Sequence, residues 1–180
     1  TISTAYMVLK DRLMALMLFT KHDNNLGVGD PEPGNNRVYL LVELNQNNNA
    51  STNPVSKIAI IKKDVISGDS GLYIRKLYSM PNNNCVYFLY HDSNKIYLYI
   101  VNWNNVNAYD ENPGVKIQLV DDAYVNPNTP DVYNYGIEYD LDSDQFILIY
   151  VSSIAGNQIN YKSFFFSLNN NYDGLDGPQY

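Results

Sequence analysis

Three stretches of this 180-residue chain repeat one pattern: an apolar strand, a short polar turn and a second apolar strand. They run from Met7 to Leu18, Met80 to Tyr90 and Tyr139 to Val151, and each is followed by a further apolar run. The first two copies end alike, with Phe19, His22, Asp23 and Asn24 in one and Phe88, His91, Asp92 and Ser93 in the other. Internal repetition on this scale predicts a repeat β-fold.

The approximate units cover residues 1–66, 72–120 and 132–168. The second has the clearest sequence pattern. Leu72 to Met80, Cys85 to Tyr90, Lys95 to Trp103 and Val115 to Val120 read as strands. Pro81–Asn84 and His91–Asn94 are turns between them, and Asn104 to Gly114 is a loop. Four strands in about fifty residues is the spacing of a propeller blade. In the third unit Val132 to Tyr139, Phe146 to Ser152 and Gln158 to Leu168 are the strands, and Asn169 to Tyr180 is a polar tail. The runs Ile96–Val101 and Phe146–Tyr150 are apolar without alternation, so both faces of those strands should be covered. Tyr97 and Tyr99 on one side, and Ile96, Leu98 and Ile100 on the other, are all expected to be buried. The hairpins lack Asn-Gly and use Asn-Asn, Asp-Ser and Ser-Asn, residues that tolerate a left-handed backbone.

Tyr78-Ser79-Met80-Pro81-Asn82-Asn83-Asn84-Cys85-Val86-Tyr87-Phe88, followed by Asn94-Lys95-Ile96-Tyr97-Leu98-Tyr99, resembles the repeat of YVTN-type, TolB-type and related β-propellers. In that repeat a strand ends in Ser-Pro-Asp-Gly-like turn residues and a Lys-Ile-Tyr-type strand follows. The resemblance covers Leu72 to Val120 best. Departures are the absence of a Trp-Asp pair closing a strand and Asn in place of the usual Gly. It implies an all-β fold of four-stranded propeller-like blades and no particular activity. Three blades leave a ring open, so the chain would belong to a larger propeller or close with other copies. A β-sandwich is the alternative architecture.

Composition narrows the partners. Seventeen Tyr with abundant Asn and Ile favour strands and turns over helices. A net charge of −7 with twelve Lys plus Arg argues against nucleic acid and against acidic membrane surfaces. No apolar stretch is long enough for a membrane-spanning helix. The single cysteine, Cys85, lies in an apolar strand and reads as a buried, inert thiol. Asn49-Ala50-Ser51 is a glycosylation sequon in a polar loop, which with the Lys-poor surface favours an extracellular or cell-surface setting.

Residues able to carry chemistry are few. Asp140, Asp142 and Asp144 alternate as in the opening of a calcium loop, but the required Gly and distal Glu are missing, and the same residues suit a hairpin turn. His22-Asp23 and His91-Asp92 recur 69 residues apart, which points to a structural role in satisfying turn backbone groups. Asp110-Glu111 and Asp121-Asp122 fall in loops; as a glycosidase pair they would have to face each other across a cleft. No phosphate loop, nucleophile elbow or zinc spacing is present. Tyr109, Tyr124, Tyr133 and Trp103 are the aromatic candidates for stacking on a sugar or a protein partner. The expected function is therefore a non-enzymatic structural or protein-interaction module of an extracellular assembly. Its expected partners are other parts of a longer polypeptide or other subunits, and the alternative is a lectin-like carbohydrate binder.

Overall fold

The computed structural model describes residues 4–9, 12–20, 37–44, 55–62, 77–107, 109–111, 113–126 and 134–176. About two thirds of them are in strands, and no α-helix occurs among them. Sheet 1 contains β1 (Thr4–Leu9), β2 (Arg12–Thr20), β3 (Arg37–Leu44) and β4 (Val55–Lys62) as an antiparallel meander. Sheet 2 contains β5 (Tyr78–Met80), β6 (Cys85–Asp92), β7 (Lys95–Asn102) and β9 (Val115–Val120). The short β8 (Tyr109–Glu111) leaves the second unit and pairs parallel to β4 at the edge of sheet 1. Sheet 3 contains β10 (Tyr135–Asp140), β11 (Gln145–Ala155), β12 (Gln158–Leu168) and β13 (Leu175–Asp176).

Two segments read as irregular from sequence are strands. β8 lies in the expected loop, its backbone groups paired with those of Ile58 to Ile60. The polar tail returns to form β13, because Asn169 organises the turn before it. The Asn169 side chain donates to Asp173 Oδ1 at 2.6 Å and accepts from the Asp173 N–H at 3.1 Å. Its backbone N–H reaches the Gly174 carbonyl at 3.0 Å. The strand expected from Leu72 is described only from Tyr78, and Val132 and Tyr133 lie outside the described residues.

Hairpin geometry follows the turn residues. Asn84, Ser93 and Asp144 each take φ of 54°, and Gly156 takes 59°. Asn and Asp occupy this left-handed region at low cost because their short polar side chains bond locally. The first hairpins of sheets 2 and 3 match: Met80 pairs with Cys85 and Asp140 with Gln145, each pair closing a four-residue turn that ends in the left-handed residue. His22 and Asp23 of the recurring His-Asp pair lie outside the described residues. His91 reaches across to sheet 3, sharing a 3.2 Å hydrogen bond with the Tyr135 hydroxyl.

Sheet 2 is buried on both faces. Ile96, Leu98 and Ile100 pack with Cys85, Tyr87 and Leu89 against Ile137, Phe146, Leu148, Tyr150 and Phe166 of sheet 3. Tyr87 meets Phe146 edge-on, with ring centroids 5.3 Å apart, and Phe146 stacks on Phe166 at 4.9 Å. On the opposite face Val86, Phe88, Tyr90, Tyr99 and Val101 are buried, and Tyr97 is 8% exposed. Phe88 stacks on Tyr99 and Tyr90 on Tyr97, both with centroids at 5.2 Å, while the Lys116 ammonium caps the Tyr97 ring at 4.2 Å. Trp103 ties this side to sheet 1. Its indole N–H donates to Glu43 Oε2 at 2.5 Å, and its carbonyl accepts from Lys57 Nζ at 3.2 Å.

Full burial of such side chains contributes about 1.5–3 kcal/mol each, and a carboxylate placed there adds several kcal/mol of desolvation. Tyr97→Asp and Leu98→Asp, on opposite faces of β7, should therefore each cost at least about 3 kcal/mol in urea unfolding. An unchanged midpoint for either variant would mean that its face is wet.

Gly114 offers a finer probe. A Cβ there would lie 2.2 Å from Tyr99 Cε1, and that ring is held by Phe88 and by the Gly114 N–H, which donates to the Tyr99 hydroxyl at 3.2 Å. Gly114→Ala should cost about 1–3 kcal/mol by overpacking, measured as a lower melting temperature with the circular dichroism spectrum retained.

Candidate functional site

The sequence continuity of β11 hides an asymmetry. Phe146, Leu148 and Tyr150 face sheet 2, whereas Ile147 and Ile149 lie on the other face, opposite Phe165 and Ser163 of β12. A bulge at Ser152 changes the side-chain parity of β11. Ile154 thereby pairs with Ile159 on the same outer face as Ile149, Tyr161 and Phe165. Ile149 and Ile159 are each 49% exposed, Phe165 51% and Tyr161 64%. Gly136 of β10 pairs with Ile149, and nothing lies within 4 Å of where its Cβ would be, so the bare face has an open step at its edge. A run of large apolar side chains on one sheet face is the anatomy of a contact surface. The expectation that Phe146–Tyr150 is covered on both faces fails here, because sheet 3 has a neighbour among the described residues on one side only. In the sequence, the odd-numbered apolar positions along β12, Ile159, Tyr161 and Phe165, were the available signal.

A second feature lies where the connector after β9 crosses the edges of sheets 2 and 3. A surface hollow of about 480 Å³ is lined by Ser93, Asn94, Asp122, Ala123, Tyr124, Val125 and Ser152. Backbone bonds from Ala123 to the Asn94 carbonyl (2.8 Å) and from Tyr124 to the Val151 carbonyl (2.7 Å) hold the connector against both sheets. Asp122 anchors its rim, accepting from Lys162 Nζ and, at 2.7 Å, from the Tyr150 hydroxyl. These bonds, that from Lys162 foremost, hold the Asp122 carboxyl below its ordinary value, while burial and Asp122 push the Tyr150 phenol up. Hydroxyls, an amide and a Tyr ring in a hollow can bond and stack on a small polar molecule.

The residues singled out from sequence scatter. Tyr124 lines the hollow. The backbone of Tyr109 lies in β8. Tyr133 and the Asn49 sequon lie outside the described residues. Trp103 is a correction: it is fully buried, so its ring has no surface to offer a ligand and works as the joint between sheets 1 and 2. Asp140, Asp142 and Asp144 do not converge. Asp140 accepts from the Asp142 N–H (3.1 Å) and the Ser143 hydroxyl (2.6 Å), and these bonds, the hydroxyl's foremost, lower its pKa. Asp144 accepts from the Tyr139 hydroxyl. Among the described residues no group of three or more His, Cys, Asp or Glu is placed to hold a metal ion, and two of the three carboxylates, those of Asp140 and Asp144, bond groups in and beside the turn. Cys85 is buried with its thiol pushed up to about 11, so it is held as the unreactive thiol. No helix among the described residues is long and apolar enough to cross a membrane.

Comparison with known proteins finds no matching family model, curated protein or solved structure.

The Asp122 contacts give a pH prediction. A folded-state pKa below the ordinary 3.8 stabilises the protein at pH values above the unfolded value, and the contribution is lost as pH falls through the folded value. Both partners are well exposed, so Asp122→Asn should cost no more than about 1 kcal/mol at pH 7. It should also flatten the loss of stability below about pH 4. Urea melts at pH 7 and pH 3 that shift equally in the variant and the parent chain would remove this role.

Proposed function

We propose that this chain is a non-catalytic protein-interaction module of propeller-like construction, in which successive four-stranded sheets act as blades and the last presents its outer face to a protein partner. The observation that carries this reading is the exposure of Ile149, Ile154, Ile159, Tyr161 and Phe165 on one face of sheet 3. About half exposed, each would recover roughly half of the about 1.5–3 kcal/mol that full burial contributes, so a bare face of this size favours association over solvation. The matched hairpins of sheets 2 and 3 support the blade reading. The Lys-poor, acidic surface supports placing the module in an extracellular assembly.

The double variant Ile149→Lys/Phe165→Lys tests it. Both positions are half exposed, so the melting temperature should stay within a few degrees of the parent, as for other surface substitutions. Binding of a hydrophobic dye by the monomer, or self-association, should fall sharply. A parent chain that neither binds dye nor associates would sink the reading. Unfolding of the double variant would also sink it, by showing that the face is internal to the fold.

A further inference from the structure

Sheet 3 ends in an arm. β10 pairs with β11 only as far as Tyr150, yet β11 and β12 run on together to Ala155 and Gln158. From Ser153 to Ser163 every residue of this hairpin is exposed, so neither of its faces is covered. A two-stranded ribbon standing alone in water is marginally stable. The far side of β12 is open as well. β13 pairs there only with Ser167 and Leu168, which leaves Gln158 to Phe166 as an unpaired edge among the described residues.

Two hydrogen bonds show which backbone groups that edge offers. The Asn169 N–H donates to the Gly174 carbonyl, on the β13 side. The Asn160 carbonyl accepts from the Ser152 hydroxyl, on the β11 side, at 3.4 Å. The N–H and C=O of one antiparallel strand residue point the same way, and the direction alternates along the strand. The odd-numbered Ile159, Tyr161, Ser163 and Phe165 therefore turn theirs to the open edge. Natural sheets blunt such edges with charge, proline or bulges. β10, at the opposite edge of the sheet, carries the exposed Glu138 and Asp140. β12 has no carboxylate and no proline, and its one charged residue, Lys162, is held by Asp122. From Gln145 to Leu168 the sequence contains no Asp or Glu, although the whole chain has 19.

A partner of opposite charge would find nothing to recognise on this hairpin, whereas two copies of a chain at net −7 meet most easily where neither presents a carboxylate. We infer that β12 pairs antiparallel with β12 of a second copy, about a twofold axis through Tyr161. Such an axis, normal to the sheet, keeps each face on its own side and sets odd residues opposite odd residues, so it runs through one residue. At Lys162 it would set two ammonium groups side by side, which is unfavourable. At Ser163 it would bring Ile159 opposite Ser167, whose edge Asp176 of β13 already occupies. At Tyr161 it sets Ile159 opposite Ser163 and Asn160 opposite Lys162, each twice, and stops short of β13. Tyr161, 64% exposed, then meets its own copy across the axis. The contact is isologous and closed, because it uses the open β12 edge of both copies. The two outer faces come to lie on the same side of one continuous sheet, so the edge contact is separate from the outer-face reading above and leaves that face free.

Light scattering and sedimentation across a concentration series, at moderate salt, should show a dimer. Ser163→Pro removes an N–H that points to the open edge, a place where a sheet tolerates proline. It should weaken the dimer at least about tenfold with the circular dichroism spectrum retained. Tyr161→Cys sets two Cα atoms about 5.5 Å apart across the axis, within disulfide reach, and should cross-link under mild oxidant. Ser163→Cys leaves the two copies of that residue about 14 Å apart and should not. Cross-linking through Ser163→Cys overturns the pairing about Tyr161. A dimer that survives Ser163→Pro and is lost in Ile149→Lys overturns it too, by placing the copies face to face. A chain that stays monomeric at every concentration also overturns it, and binding of hydrophobic dye then decides the outer-face reading by itself.

Discussion

Neighbouring side chains on β6 and β7 point to opposite faces of sheet 2, and both sets are withdrawn from water. Leu98 and Tyr99 are adjacent in sequence and both are fully buried. A strand in this state needs a packing partner on each side; sheet 3 supplies one, and Trp103 joins the other side to sheet 1. Much else follows from the requirement. Tyr87 and Phe146 must interdigitate, Gly114 can carry no side chain because Tyr99 fills the space, and Trp103 must find an acceptor for its indole N–H within the joint, which Glu43 supplies.

Sheet 3 inherits only half of this arrangement. Its inner face completes the core with Phe146, Leu148 and Phe166, while its outer face keeps side chains of the same character without a partner among the described residues. The Ser152 bulge enlarges that face, since without the parity change Ile154 would fall on the other side of β11. The connector from Asp122 to Val125 fastens sheets 2 and 3 at their edges, and the polar contacts there hold the joint while leaving a hollow at the surface.

Several polar residues serve the backbone. Asp140 and Asn169 satisfy N–H groups in the turns they begin, and Asn84, Ser93 and Asp144 supply left-handed backbone where many hairpins use glycine. That use explains why the acidic alternation at Asp140, Asp142 and Asp144 resembled a cation loop. Turn formation and calcium binding draw on the same side chains, and only the direction of the carboxylates separates them.

The all-β class, the existence of most strands, and the burial of Ile96 to Val101 were legible in the sequence, because they depend on side-chain period and on local turn chemistry. Gln158 to Leu168 was delimited to the residue, since Gly156-Asn157 begins it and Asn169 ends it. β8 and β13 were not legible. Each is only two or three residues long; β8 depends on an edge supplied by β4, far away in sequence, and β13 on the Asn169 turn that brings the tail back to β12. The fate of Trp103 was equally hidden, because an indole beside Asn-rich loops looks exposed until Glu43 and Lys57 arrive from another sheet. Sequence alone determined which residues must avoid water and where the chain can turn. Tertiary structure decided which apolar faces find a partner, because the outer residues of β11 and β12 are chemically indistinguishable from the inner ones until a neighbouring sheet covers one side and leaves the other bare.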